Sequence, residues 1–271
     1  MEFTHAHTVV TGSANGIGAA LARRFHDAGA RVVLADRDTA GIVALEAELL
    51  ARRPDSAFAV TADVGTREGN IALIDAARER FGFIDLFFAN AGVAVGTDLA
   101  STDEATWETA MNINLHAHRW AAAHLLPEWL AAGRGHFCST ASAAGLLSQI
   151  GSATYSVSKH AAVAFAEWLS ITYGDRGITV TCLCPQGVNT NMLNPPGADR
   201  GIDRRGGDVV RAAGNVLEPA EVADIVHDHV VAGRFLVLPH PEVHVYEQRK
   251  VEDRDRWLAG MRKLQARIFG A

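Results

Sequence analysis

At 271 residues, with 48% hydrophobic and 21% charged side chains, the chain can bury a substantial core and is too apolar for a disordered segment. Its 31 acids outnumber its 25 lysines and arginines for a formal charge of −6, and the basic residues are scattered among acids, which excludes the footprint of a nucleic-acid or anionic-membrane binder and leaves small molecules as partners. No apolar run is long enough to span a membrane, and the start MEFTHAHTVVTG carries an acid and two histidines where a secretory signal carries lysine or arginine, so the expected location is the cytoplasm.

Strand-like and helix-like segments alternate from the first residues. HTVVTG reads as a buried strand, GIGAALARRFHDAG as a helix closed by Gly29, ARVVLAD as a strand, and TAGIVALEAELLARR as a helix closed before Pro54. AFAVTAD, the helix REGNIALIDAARERFG and the strand IDLFFANAG continue the rhythm. A long helical region over residues 103–132 precedes the strand GHFCSTAS, the helix SATYSVSKHAAVAFAEWL and the strand GITVTCLCP. Strands apolar on both faces, each followed by a helix, predict an α/β fold with a parallel sheet covered on both sides, in a single domain over residues 1–271. Residues 191–215, dense in Gly, Pro and charge, follow a strand's carboxyl end and are expected to form a lid over the substrate. Residues 245–271 read as a helical extension with Trp257, Met261, Leu264 and Ile268 on one stripe.

The turn TGSANGIG, residues 11–18, lies between the first strand and the first helix, the context that gives a glycine motif meaning. Gly12 permits the tight turn, Gly16 lets a pyrophosphate approach the backbone, and Gly18 lets the helix pack on the sheet. Ser13, Asn15 and Ile17 belong to the same expected cofactor contact, where amides at the helix start face the anion. Asp36 ends the second strand eighteen positions beyond Gly18, where a carboxylate binds the adenosine ribose hydroxyls of NAD and repels the extra phosphate of NADP. Arg37 beside it leaves NADP open as the alternative.

Tyr155 and Lys159 stand four apart at the start of an apolar-periodic helix and so share a face. Alone they read as a surface pair, the lysine stem on the ring. As a functional pair they need a fixed cation to bring a phenol down from about 10 toward about 7, a shift of roughly 4 kcal/mol, to act as a base. Cys138, Cys182 and Cys184 fall in strand-like stretches and read as small buried hydrophobes; no metal site is expected, because the His pairs 116/118 and 227/229 stand two apart on helices and diverge. Trp107, Trp129 and Trp168 are expected to pack helices.

With TGSANGIG, Asp63 and Val64 after the third strand, NAG at 90–92, and Tyr155 with Lys159, the first 190 or so residues resemble the short-chain dehydrogenase/reductase family. The resemblance implies a Rossmann-type, doubly wound sheet of seven parallel strands in a three-layer αβα domain, a nicotinamide cofactor, and a homodimer or homotetramer. It implies four catalytic groups: Tyr155 as general acid/base, Lys159 holding the nicotinamide ribose and favouring the phenolate, Ser142 on the reacting oxygen, and Asn114 orienting a relay water. Ser139 and Asn112 are the near neighbours that the spacing to Tyr155 and to Leu115 rejects. It also implies cofactor contacts from Asp63, Val64, Asn90, Ala91, Gly92, Pro185, Gly187, Val188 and Thr190. Gln186 departs from the family's usual ProGly pair. Leu146, Leu147, Ile150, Met192 and Leu193 suggest an apolar substrate pocket, hence an NAD-dependent dehydrogenase of an apolar secondary alcohol or ketone; the alternatives are an NADP-dependent ketone reductase and a dinucleotide-binding sensor with little catalysis.

Overall fold

In the computed structural model, which describes residues 3–194, 207, 209–211 and 214–270, seven strands form one parallel sheet. They are β1 (His7–Thr11), β2 (Arg31–Asp36), β3 (Ala57–Thr61), β4 (Leu86–Ala89), β5 (Gly135–Thr140), β6 (Ile178–Leu183) and β9 (Leu236–Val237), ordered β3-β2-β1-β4-β5-β6-β9. Two short strands, β7 (Gly187–Val188) and β8 (Val216–Leu217), pair separately. Every residue of β1, β4 and β5 is buried, as the doubly apolar strand sequences require.

Side chains alternate across the sheet and divide the core in two. Val9, Val33 and Phe87 face one layer with α3 (Arg67–Phe81), α5 (Ala117–Ala132) and α7 (Ala153–Tyr173). Val10, Val32, Leu34 and Phe88 face the other, with α1 (Gly16–Asp27), α2 (Thr39–Arg52) and α8 (Pro219–Val231). The result is the expected three-layer, doubly wound α/β domain. Trp129 ties α5 to the sheet, fully buried, its indole N–H donating to Ile84 O at 2.7 Å. Trp168 departs from the packing expectation: it is 53% exposed on α7, with its ring edge against Tyr173.

Helix starts separate structural ends from a functional one. Asp38 caps α2 through Gly41 N–H, Thr66 caps α3 through Gly69 N–H, and Asp103 caps α4 (Glu104–Met111) through Thr106 N–H. Asn15 precedes α1 without such a bond, so its first-turn amides stay open toward the end of the sheet where the strand order reverses between β1 and β4. The long helical region expected over 103–132 contains a π turn, Asn112–His116, between α4 and α5. The terminal extension is two helices, α9 (Glu242–Glu252) and α10 (Arg254–Phe269), because Asp253 leaves helical backbone and caps α10 through Arg256 N–H. Much of the expected lid, residues 195–206, 208, 212 and 213, lies outside the described residues. Among the described residues no helix is long and apolar enough to cross a membrane.

Candidate active site

A cleft of about 1090 Å³ opens along the carboxyl ends of the strands. Its first end is built by the turn after β1. Gly12 and Gly16 take left-handed backbone (φ +67° and +55°), and the turn lies so close to its neighbours that a Cβ on Gly12 would stand 2.8 Å from Ala91 Cα. A Cβ on Gly18 would collide with the Gly12 carbonyl, so Gly18→Ala is expected to displace the turn and to abolish the thermal shift that a nicotinamide dinucleotide is expected to give the unaltered protein; an equal shift in both would disprove this role.

Asp36 is fixed rather than free to swing. One carboxylate oxygen accepts from Ala14 N–H at 3.0 Å and the other from Asp38 N–H at 3.1 Å. Arg37 is exposed at the same end of the cleft, beside Asp63 and the buried Val64. The Asp63 carboxylate accepts from Gly65 N–H at 2.9 Å. Gly12, Asn15, Gly16, Ile17, Gly18, Asp36 and Arg37 all line the cleft. Ser13 does not: it is buried, and its hydroxyl donates to Ala35 O across the neighbouring strand.

The NAG segment locks β4 to β1. Thr11 Oγ1 accepts from the amides of Asn90 and Ala91 at 2.9 and 3.0 Å, and Asn90 Nδ2 donates back to Thr11 O at 2.9 Å. Asn90, Ala91 and Gly92 line the middle of the cleft. A Cβ on Gly92 would stand 3.2 Å from Lys159 Nζ and 3.3 Å from Asn114 Oδ1, so the absence of a side chain there lets the two groups approach one peptide.

Asn114 is wholly buried behind that peptide, on the π turn. Its Oδ1 accepts from Val93 N–H at 2.9 Å, and its Nδ2 donates to Val93 O at 2.9 Å and to Ser158 Oγ at 3.0 Å. The amide thus clamps the β4 exit to α7 from outside the cleft lining. The rejected neighbours sit elsewhere: Ser139 is buried against His118 Nδ1, and Asn112 lies on the outer side of the π turn.

Ser142, Tyr155 and Lys159 meet in the cleft floor. Ser142 Oγ accepts from Ala144 N–H at 3.1 Å and faces Pro185 O at 3.4 Å. Lys159, 2% exposed, donates to Thr140 O at 2.9 Å, and burial lowers its pKa to about 8. Burial raises the Tyr155 phenol above its ordinary value, with hydrogen bonding from Ser142 acting in the opposite direction. The expected lowering of the phenol by Lys159 is therefore not what this structure holds: the ammonium is turned to a carbonyl, 5.8 Å from the ring centroid, and desolvation dominates.

Pro185, Gly187, Val188 and Thr190 form the wall after β6. The departure at Gln186 is accommodated by a histidine that sequence reasoning passed over. Buried His240 accepts from Gln186 N–H at Nδ1 (3.1 Å) and, through Nε2–H, donates to Gly187 O (2.9 Å), while both polar atoms of the Gln186 side chain are buried without partners among the described residues. The substrate end holds Val93, Ala94, Gln149, Gly151, Met192, Leu193, Val210 and Arg211. Leu146, Leu147 and Ile150 do not line it: the first two lie on the short helix α6 (Ala144–Leu147), which packs Gly145 against α7 and Leu146 against the core, and Ile150 is buried in the loop that follows. Their apolar character was legible, but not their place in the packing.

The residues present fit a dinucleotide: an uncapped helix start for the pyrophosphate, a pinned carboxylate for the ribose and a cleft continuous to the Tyr–Lys pair. The short chain dehydrogenase family model matches residues 6–201. The 1-deoxy-11-beta-hydroxypentalenate dehydrogenase of Streptomyces exfoliatus is 36% identical over 248 residues, covering 90% of this chain and 86% of that protein. A short chain dehydrogenase/reductase from Burkholderia phymatum, solved in complex with NAD, superposes with a TM-score of 0.85 at 28% identity over 94% of this chain and 96% of that one. A short-chain dehydrogenase from Sphingobium yanoikuyae, solved in complex with NADPH, shares the fold with a TM-score of 0.76 at 23% identity over 95% and 93% of the two chains. By its strand order, its glycine turn and these matches, the chain belongs to the short-chain dehydrogenase/reductase family, oxidoreductases that use a nicotinamide dinucleotide on small-molecule alcohols and ketones.

Proposed function

We propose that this protein is an NAD-dependent dehydrogenase of an apolar secondary alcohol, the reverse direction being reduction of the ketone. The observation that carries the reading is the convergence of Ser142, Tyr155 and Lys159 in the floor of a cleft whose far end holds the pinned Asp36. Nicotinamide dinucleotide, when bound, supplies the hydride acceptor or donor. Ser142 Oγ hydrogen-bonds the reacting oxygen, and the Tyr155 hydroxyl takes the proton from an alcohol or returns it to a ketone. Lys159 binds the nicotinamide ribose, and Asn114 holds the loop and α7 in the geometry that brings Tyr155 and Lys159 into the cleft together. Gly12, Asn15, Gly16, Ile17 and Gly18 hold the pyrophosphate, and Ser13, whose N–H and hydroxyl both donate to Ala35 O, fixes the turn. Asp36, Arg37, Asp63, Val64, Asn90, Ala91 and Gly92 hold the adenosine side; Pro185, Gly187, Val188 and Thr190 hold the nicotinamide.

Choice of NAD over NADP is supported by the two amides that hold the Asp36 carboxylate where a 2′-phosphate would meet it. A like-charge contact of that kind costs ~4 kcal/mol at an effective dielectric near 20, about a thousandfold in binding. Asp36→Ala, which leaves Arg37 in place, is expected to shift the ratio of kcat/KM for NAD over NADP by about a hundredfold or more toward NADP. An unchanged ratio would place cofactor selection elsewhere.

The apolar substrate class is supported by Val93, Ala94, Met192, Leu193 and Val210 at the substrate end and by the name of the Streptomyces relative, a dehydrogenase of a hydroxypentalenate. Exposed Val157, Trp168 and Ile171 along α7 support assembly of two or four copies, and three free buried cysteines support a reducing, cytoplasmic setting. The test is nicotinamide absorbance with NAD or NADP and a panel of apolar secondary alcohols. NAD reduction confirms the class and begins to name the substrate; silence with NAD still raising the melting temperature favours a dinucleotide-binding sensor, and silence with no shift from either cofactor overturns the reading.

A further inference from the structure

The loop between α6 and α7, residues 148–152, forms one wall of the substrate end through Gln149, Gly151 and Ser152. It is not a relaxed turn. Ser148 sits at φ +75° and ψ 137°, a conformation that a side chain disfavours and that persists only where surrounding contacts impose it, and Gly151 is at φ +79°. From the inner side, Ser156 Oγ accepts from Gln149 N–H at 2.7 Å and donates to Gln149 O at 3.0 Å, while Ser152 Oγ donates to Gly96 O at 3.1 Å.

From the outer side, the loop and α6 are met by the last two helices. Lys250 Nζ on α9 donates to Leu146 O and lies 3.5 Å from His160 Nε2, which ties α9 to both α6 and α7. Phe269 on α10 lays its ring against Gly151, so close that a Cβ on that glycine would stand 2.5 Å from the ring tip. The arm carrying these groups is itself lightly attached: α10 has no buried residue, and Trp257, Met261, Leu264 and Ile268 are only half-buried. It lies beyond residues 6–201, the segment that the family model matches.

We propose that Phe269 and Lys250 are positioning residues for substrate: the α9–α10 arm presses the 148–152 loop into its strained shape and so sets the width of the substrate end. The proposal rests on the dehydrogenase reading for its functional consequence and on the contacts alone for its structural one. A wall held this way matters most to a bulky apolar substrate, which must touch it, and little to a small alcohol or to NAD, whose expected contacts lie elsewhere in the cleft.

The test compares the full chain with Phe269→Ala, Phe269→Leu and Lys250→Met, using NAD with borneol as the bulky alcohol and propan-2-ol as the small one. For Phe269→Ala and Lys250→Met, KM for borneol is expected to rise by about tenfold with kcat unchanged, as for loss of binding shared by ground and transition states. KM for propan-2-ol and the thermal shift by NAD stay at their wild-type values, and Phe269→Leu restores most of the borneol affinity. Amide hydrogen exchange across residues 148–152, measured with NAD bound, is expected to quicken in Phe269→Ala. Unchanged borneol KM in both variants, or a parallel loss of the NAD shift, overturns the proposal. So does unchanged loop exchange, whether or not the protein turns over either alcohol; absence of turnover by the wild type together with faster loop exchange instead overturns only the dehydrogenase reading.

Discussion

Tyr155→Phe is expected to remove turnover while leaving cofactor binding intact. The substitution keeps the half-buried ring and its packing at the start of α7 and deletes only the hydroxyl, which stands in the cleft with Ser142 and Lys159. Loss of a positioned general acid/base costs about a hundred- to ten-thousandfold in rate. Because Asp36, the glycine turn and Lys159 are untouched, NAD should raise the melting temperatures of variant and wild type equally. The pH dependence carries the same signature with a definite sign. With the phenol held above its ordinary value, neutral solution leaves Tyr155 protonated, ready to donate to a ketone, and alcohol oxidation speeds up as pH rises toward the phenol's pKa. Activity within a few-fold of wild type in the variant, measured by nicotinamide absorbance, would assign the proton transfer to another group.

Acid is expected to unfold the protein well above the carboxylate range. His7, His118 and His136 are buried, with desolvation lowering their pKa values to about 4, 3 and 4. Each has one ring nitrogen engaged: His7 Nδ1 with Gly82 O at 3.1 Å, His118 Nδ1 with Ser139 Oγ at 2.9 Å, and His136 Nε2 with Thr181 Oγ1 at 2.8 Å. His7 Nε2 and His118 Nε2 are buried without partners among the described residues, so a second proton would be stranded. Below the ordinary imidazole value near 6.5 the unfolded chain binds protons that the folded one refuses, so stability is complete above that pH and falls as pH drops toward 4. At pH 5 each group has removed about 2 kcal/mol, and three together remove about 6 kcal/mol, a large share of the 5–15 kcal/mol of a typical domain. Urea unfolding at pH 7 and pH 5 measures it. His136→Gln should flatten the dependence, and equal stability at the two pH values would mean that these imidazoles accept protons in the folded state.

Much of the candidate cleft is legible in the sequence, and the reason is local. The glycine turn, Asp36, the NAG segment and the Tyr155–Lys159 pair each depend on a backbone shape or a helical spacing set within a few residues. Each lies at the carboxyl end of a strand, so a parallel sheet gathers them into one cleft. Other assignments required knowledge of where a side chain turns. Ser13 belongs to the turn by sequence, yet its hydroxyl faces β2. Asn114 was expected to hold a relay water, and its amide is spent on Val93 and Ser158. Leu146, Leu147 and Ile150 have the composition of a pocket wall, but none lines the cleft: the first two lie on α6 and Ile150 is buried in the loop after it.

The sequence by itself determined the fold class and the family, because apolar periodicity sets strands and helices and because short motifs with fixed spacing shape the turns at the ends of the strands. Tertiary structure alone decided the electrostatics of the pair and the walls of the substrate end. Burial, which raises Tyr155 and lowers Lys159, is a property of packed layers, not of spacing. His240 against Gln186, Lys250 against Leu146 and Phe269 against Gly151 join residues 54, 104 and 118 positions apart, and no local pattern encodes such contacts; only the closed sheet and the arm folded over it bring them together.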